Sequence, residues 1–194
     1  SVNAFFDDKI FNPYIGAGQW EQYRRQSALQ RRRVPVDFVW PDSDWAGYRL
    51  LIAPHLAMID KPLAAKLTAF VKAGGTLMLG AQTGTFDKHL HTVPAPGPGM
   101  LRSLAGVEVE DWTTLEAKET RTARLLAGGD IVLGTFVERL RLRGAQPLAQ
   151  WTDDDTLLAE SPAITERRVG RGRVIYVGGY LDEGLATWAN TLLQ

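Results

Sequence analysis

The segment from Tyr48 to Gly80 limits the fold more than any other part of the chain. "YRLLIAP" (48–54) is an apolar run of strand character, stopped by Pro54. Asp60 stands where a helix N-cap would, and Pro62 is tolerated in a first helical turn. Leu63, Leu67, Phe70 and Val71 then fall at i, i+4, i+7 and i+8, one apolar stripe of a helix. Gly74-Gly75 ends that helix, and "TLMLG" (76–80) reads as a strand buried on both faces. Strand, crossover helix and strand at this spacing dictate a parallel pair.

The flanking segments read less sharply. "VNAFF" (2–6) has the pattern of a short buried strand, and 18–33 that of a helix with Trp20, Tyr23 and Ser27 on one face. "VPVDFVW" (34–40) is β-branched and aromatic, hence a strand. Beyond Gly84 comes a Pro/Gly loop, "HTVPAPGPG" (91–99), then "MLRSLAG" as a short helix closed by Gly106, and "VEVED" (107–111) as a strand. From 121 to 177 the runs are strand-like and separated by turn signals at Gly128-Gly129, Gly144, Asp153–Asp155 and Gly170-Arg171-Gly172. They read as antiparallel additions to the sheet. A closing helix is expected over 182–193, capped by Asp182, with Leu185, Trp188, Ala189, Leu192 and Leu193 on one face.

Composition closes off several functions. Lys+Arg and Asp+Glu are equal at 22 each, which gives no electrostatic case for nucleic acid or an anionic membrane surface. Arg24, Arg25, Arg31, Arg32 and Arg33 therefore read as a solvated helix face. The absence of Cys excludes disulfides, thiolate zinc sites and a thiol nucleophile. No apolar run approaches the length of about 20 residues that a membrane-spanning helix requires. No signal peptide is visible and the first residue is not Met, so a piece cut from a longer, cytoplasmic protein is expected.

The chemistry-bearing patterns are few. Gly80-Ala81-Gln82-Thr83-Gly84 has the G-x-n-x-G shape of a nucleophile elbow, but Gln82 carries an amide at the nucleophile position, and residues 85–99 make a poor helix. Thr83 and Thr85 have no base assigned to them. His55 follows Pro54 at a strand's C-terminal end, where open α/β sheets place ligands. His89 and His91 have Asp87 as their one nearby acid, so no metal site is expected. Gly170-Arg171-Gly172-Arg173 lacks the Lys-Ser/Thr of a phosphate loop and reads as a hairpin turn. Glu108/Glu110, Asp153–Asp155 and Asp182/Glu183 are the carboxylate groupings, and none makes a convincing acid/base pair. Of the six tryptophans, Trp20 and Trp188 read as core, whereas Trp40, Trp45 and Trp112 lie in polar surroundings and read as interface residues, together with Pro94, Pro96 and Pro98.

The order of segments resembles the middle domain of family 42 glycoside hydrolases, bacterial β-galactosidases. The match lies in Asp42, Asp44, Tyr48, Leu50, Ile52, Ala53, Pro54, Gly74, Gly75, Thr76, Leu77 and Gly84, then in the 96–110 and 169–185 segments, and it covers nearly the whole chain. The resemblance implies a flavodoxin-like, class I glutamine amidotransferase-like three-layer α/β sandwich. Its sheet would be mainly parallel, with an antiparallel, strand-rich C-terminal part. The single domain 1–194 would comprise a parallel core (1–90), the strand-rich portion (107–177) and the closing helix (182–193). On this view Gly80, Gln82 and Gly84 form a degenerate nucleophile turn. The resemblance also implies a homo-oligomer, a trimer in the parent enzyme, whose catalysis belongs to an N-terminal (β/α)8 barrel of the same chain. Such barrels run to about 250 residues, and 194 residues do not accommodate one as well. No catalytic residue, cofactor or metal is then expected here. The rival expectation is a stand-alone amidotransferase-like binding domain or enzyme that uses the strand ends near His55, Gln82 and Thr83.

Overall fold

A computed structural model describes residues 37, 39–87, 89, 91–94, 96–116, 119–152, 157–159, 161–180 and 188. The expected strand 2–6, the helix 18–33 with its arginines, the Asp153–Asp155 turn and most of the closing helix lie outside them; so does most of the expected strand 34–40, whose described residues 37, 39 and 40 are not in a strand.

The parallel unit is built as its local chemistry requires. Strand β1 (Leu50–Ala53) leads to helix α1 (Lys61–Lys72) and then to β2 (Thr76–Leu79), which pairs with β1 in parallel. Asp60 Oδ1 accepts the Leu63 amide at 2.9 Å, satisfying one of the donors a helix start leaves open. Leu67 and Val71 bury the inner stripe of α1, and Phe70 meets Trp45 edge-on at 6.4 Å. Gly75 leaves room for the Phe70 ring, which a side chain there would overlap.

After β2 the chain turns mostly to strands. A one-turn helix, α2 (Arg102–Ala105), ends at Gly106, whose φ of 71° is the left-handed closure glycine permits. The strands β3 (Val107–Thr114), β4 (Thr120–Leu125), β5 (Asp130–Leu142), β6 (Gln146–Trp151), β7 (Pro162–Val169), β8 (Gly172–Val177) and β9 (Gly179–Tyr180) follow. One sheet contains them all, in the order β1-β2-β8-β7-β6-β4-β5-β3, with β9 paired to β5. β1, β2 and β8 are mutually parallel, and every pairing from β8 onward is antiparallel.

The expected three-layer, flavodoxin-like or amidotransferase-like sandwich is overturned by this topology. A sandwich needs helices over both sheet faces, whereas the helical residues described are one 12-residue helix, the turn Arg102–Ala105, the 3-10 turn Gly99–Leu101 and Trp188. The sheet instead covers itself. β9 continues β8 after Gly178 and pairs with β5, so the far end of the antiparallel run returns to the strand from which it began. The Glu138 amide donates to Gly178 O, and the Gly178 amide to Ala163 O, across that closure. Alternating residues of β2 and β8 serve the two sides. Leu77, Leu79, Val174 and Tyr176 join the core under α1 and α2. Met78, Ile175 and Val177 face the interior of the curl, with Ala123, Leu133, Val137, Trp151, Ile164 and Trp188.

Candidate functional site

β1 and β2 end side by side, so the chain after each of them leaves the sheet at the same place. The Gly80–Gly84 turn is held tightly there. A side chain at Gly80 would overlap the carbonyl of Pro54, and a Cβ at Gly84 would lie 2.5 Å from Pro98 O. The Thr83 hydroxyl donates to Gly80 O at 2.6 Å, and the Thr85 hydroxyl to Gln82 O at 2.7 Å. Gln82 has a φ of 63°, in the left-handed region that a non-glycine residue occupies only under constraint. The turn thus has the sharp backbone of an elbow, but no helix comes after it. Phe86 makes single bridges to Met58 and Thr92 instead.

The constraint on Gln82 comes from Glu138, in the middle of β5. The residue is 2% exposed. Oε1 accepts the Gln82 amide at 2.7 Å, and Oε2 accepts the hydroxyl of the fully buried Tyr176 at 2.8 Å. Burial pushes the Glu138 carboxyl from an ordinary 4.5 up to about 7, against the opposing pull of its two donors. Burial, and then the neighbouring Glu138, raise the Tyr176 hydroxyl well above its usual value, so it remains a donor. The Tyr180 hydroxyl donates to Gln82 Oε1 at 2.6 Å. Backbone amide and side-chain carbonyl of Gln82 are therefore both engaged. The backbone amide at the nucleophile position is thus held by a carboxyl of the same chain.

Sequence patterning did not single out Glu138. The signal was present in the strand period: Phe136, Glu138 and Leu140 share a face, and two of the three are plainly apolar.

A column of rings extends from this cluster to the surface. His55 and Tyr180 have centroids 3.8 Å apart, Tyr180 and Phe136 5.9 Å, and Phe136 and Trp112 5.2 Å at an interplanar angle of 23°. Trp112 ends the column and is 57% exposed.

The other expected site residues are dispersed. Trp40 is about half exposed. Trp45 is taken up by the core, its indole N–H donating to Trp40 O at 3.1 Å and its ring covered by Lys66 Nζ at 4.1 Å. Pro94 and Pro96 are exposed, while Pro98 is buried against Gly84. The loop and Trp112 are neighbours along one strand, because the Val109 amide donates to Gly97 O three residues before Trp112. Glu108 and Glu110 are matched by arginines: Arg143 and Arg102 on the first, Arg139 and Arg141 on the second. Carboxylates neutralised in this way make no acid/base pair. Asp87 accepts the His89 and His91 amides at 2.8 and 3.0 Å, bonds that hold its carboxyl below the usual range, with the His91 bond the larger cause. Among the described residues no group of His, Asp or Glu is arranged to hold a metal ion.

The family model described as the β-galactosidase trimerisation domain matches residues 20–191. A β-galactosidase of Geobacillus kaustophilus is 35% identical over 163 residues, covering 84% of this chain and 23% of that protein. The solved β-galactosidase of the haloarchaeon Halorubrum lacusprofundi is 29% identical with a TM-score of 0.82, over 94% of this chain and 28% of that one. The solved β-galactosidase of Bacillus circulans sp. alkalophilus shares the fold at a TM-score of 0.89 and 21% identity, over 98% of this chain and 29% of that one. The chain thus spans about a quarter of the length of the curated relatives it matches. By the extent of these matches, it belongs to the family of β-galactosidase trimerisation domains, the middle domains of family 42 enzymes.

Proposed function

We propose that this domain joins three subunits of a larger β-galactosidase and performs no chemistry of its own. The parent would carry a catalytic (β/α)8 barrel in the same polypeptide and hydrolyse terminal β-D-galactosides. The observation that carries the non-catalytic reading is the state of the strand-end cluster. There the Gln82 amide, the Gln82 side-chain carbonyl, the Glu138 carboxyl and the Tyr176 and Tyr180 hydroxyls are bonded to one another. A site consumed by its own groups offers nothing to a substrate, which disfavours the rival reading of an enzyme built around His55 and Gln82.

The surface proposed for subunit contact runs along β3 and the adjoining loop, with Trp112, Pro94 and Pro96 exposed on it, and includes Trp40 elsewhere on the surface. Exposed aromatic residues backed by a rigid stack are the type that dominates subunit contacts. A contact repeated head to tail closes a ring when its rotation is threefold. The test of the non-catalytic reading is hydrolysis of a nitrophenyl β-galactoside by the purified chain. No turnover above buffer is expected, and clear turnover abolished by Glu138→Gln would overturn the reading.

A further inference from the structure

A head-to-tail contact needs two unlike patches on one chain, and two patches of opposite charge lie at the two ends of the strand order. Around β3, the last strand of that order, Glu108 is held by Arg102 and Arg143, and Glu110 by Arg139 and Arg141. The two carboxylate side chains are 19% and 24% exposed, the four arginines 42–56%. The carboxylates thus lie beneath and their arginines above. Four guanidiniums over two carboxylates leave an excess of two positive charges on this edge. Each guanidinium has five N–H groups, so donors remain after the carboxylate is held.

The loop before β1 carries the opposite sign. Asp42 and Asp44 are exposed on it, close in sequence to the half-exposed Trp40. The loop is braced from within. The Trp40 amide donates to Ser43 Oγ at 2.9 Å, the Ser43 amide to Trp40 O at 3.1 Å, and the Ala46 amide to Asp44 Oδ1 at 3.0 Å. Lys66 Nζ donates to Pro41 O and Ser43 O at 2.6 Å each while standing over the Trp45 ring, so its ammonium is engaged with the loop backbone. A loop fixed in this way gives up little freedom when it docks.

We propose that the Trp40–Asp44 loop of one copy seats against the arginine edge of β3 in the next, with Asp42 and Asp44 meeting Arg141 and Arg143. Those two are the most exposed arginines of the set. This pairing, which rests on the reading that the domain joins subunits, gives each half of the contact an exposed tryptophan, Trp40 on the acidic side and Trp112 on β3. A second copy fits because the chain balances 22 basic against 22 acidic residues while its two patches differ in sign. Either patch set against itself opposes like charges, which favours the head-to-tail arrangement.

Light scattering over a concentration series reads the concentration at which the trimer half dissociates, and circular dichroism checks the fold. Asp42→Arg and Arg141→Glu, each alone, are expected to raise that concentration by about tenfold at low salt. Both in one chain are expected to bring it back to within about threefold of the wild type, because the exchanged charges meet again. Should a reversal fail to fold, Asp42→Asn and Arg141→Gln serve: each is expected to weaken assembly by about threefold, and the two together by less than the product. A trimer unmoved by either single change, or a double variant weakened by the full product of its singles, would overturn the pairing and leave the assembly reading standing. A wild type that stays a single copy at every concentration would overturn that reading, and the pairing with it.

Discussion

Replacing Tyr176 by Phe removes one hydroxyl from a fully buried ring and leaves its shape intact. That hydroxyl is one of the two donors to Glu138. In the wild type the Glu138 carboxyl is raised from 4.5 to about 7, chiefly by burial. The folded state therefore holds its proton more tightly than the unfolded chain does. Its contribution to stability is full below about pH 4.5, declines as pH rises through about 7, and is gone above that. At about 1.4 kcal/mol for each tenfold change in proton affinity, a rise of this size corresponds to about 3 kcal/mol between the two limits. Tyr176→Phe should be least harmful in acid, where a neutral carboxyl loses a neutral partner, a loss of about 1 kcal/mol. In mild alkali the bond lost is to an ionised acceptor in a dry site, and the loss should grow to about 2–3 kcal/mol. Urea unfolding followed by circular dichroism at about pH 4 and about pH 8 measures both, provided the slopes with denaturant agree. Equal losses at the two pH values would refute the reasoning, since the charge on Glu138 would then play no part.

Packing and charge set two further outcomes. Gly80→Ala places a methyl into the Pro54 carbonyl and should cost more than about 2 kcal/mol, whereas Gly47→Ala, which meets nothing within 4 Å, should change stability by less than about 0.5 kcal/mol; urea midpoints compare them. Glu110→Gln breaks a pair with partly exposed Arg139 and Arg141 and should lower stability by no more than about 1 kcal/mol, measurable by thermal unfolding.

Local chemistry made the β1–α1–β2 unit legible in the sequence. Asp60, Pro62, the Leu67/Val71 stripe and Gly74-Gly75 each act within a few residues, and the structure uses each as read. β5 and β6 were likewise legible, because Gly128-Gly129 and Gly144 bracket their apolar runs. The architecture was not. Closure of the curl depends on β9 meeting β5, where Gly178 and Gly179 allow close approach to Leu140 and Leu133, and nothing near those glycines announces a partner some forty residues earlier. A parallel βαβ unit was therefore extended to a sandwich that the described residues do not form. The site was half legible. The Gly80–Gly84 turn stood out by its glycines, but its partner Glu138 reads as an ordinary polar position until β5 is placed against β8. Trp45 was misjudged from its polar neighbours, since the Lys66 and Phe70 that enclose it lie on a helix about twenty residues further on.

The central claim, that this domain joins subunits, is tested most directly by the mass of the chain in solution, read by multi-angle light scattering over a concentration series. A species of three times 21.4 kDa, reduced to a single copy by Trp112→Ala without loss of fold, is the predicted result. A chain that stays at 21.4 kDa up to the highest concentration, with or without Trp112, would contradict it.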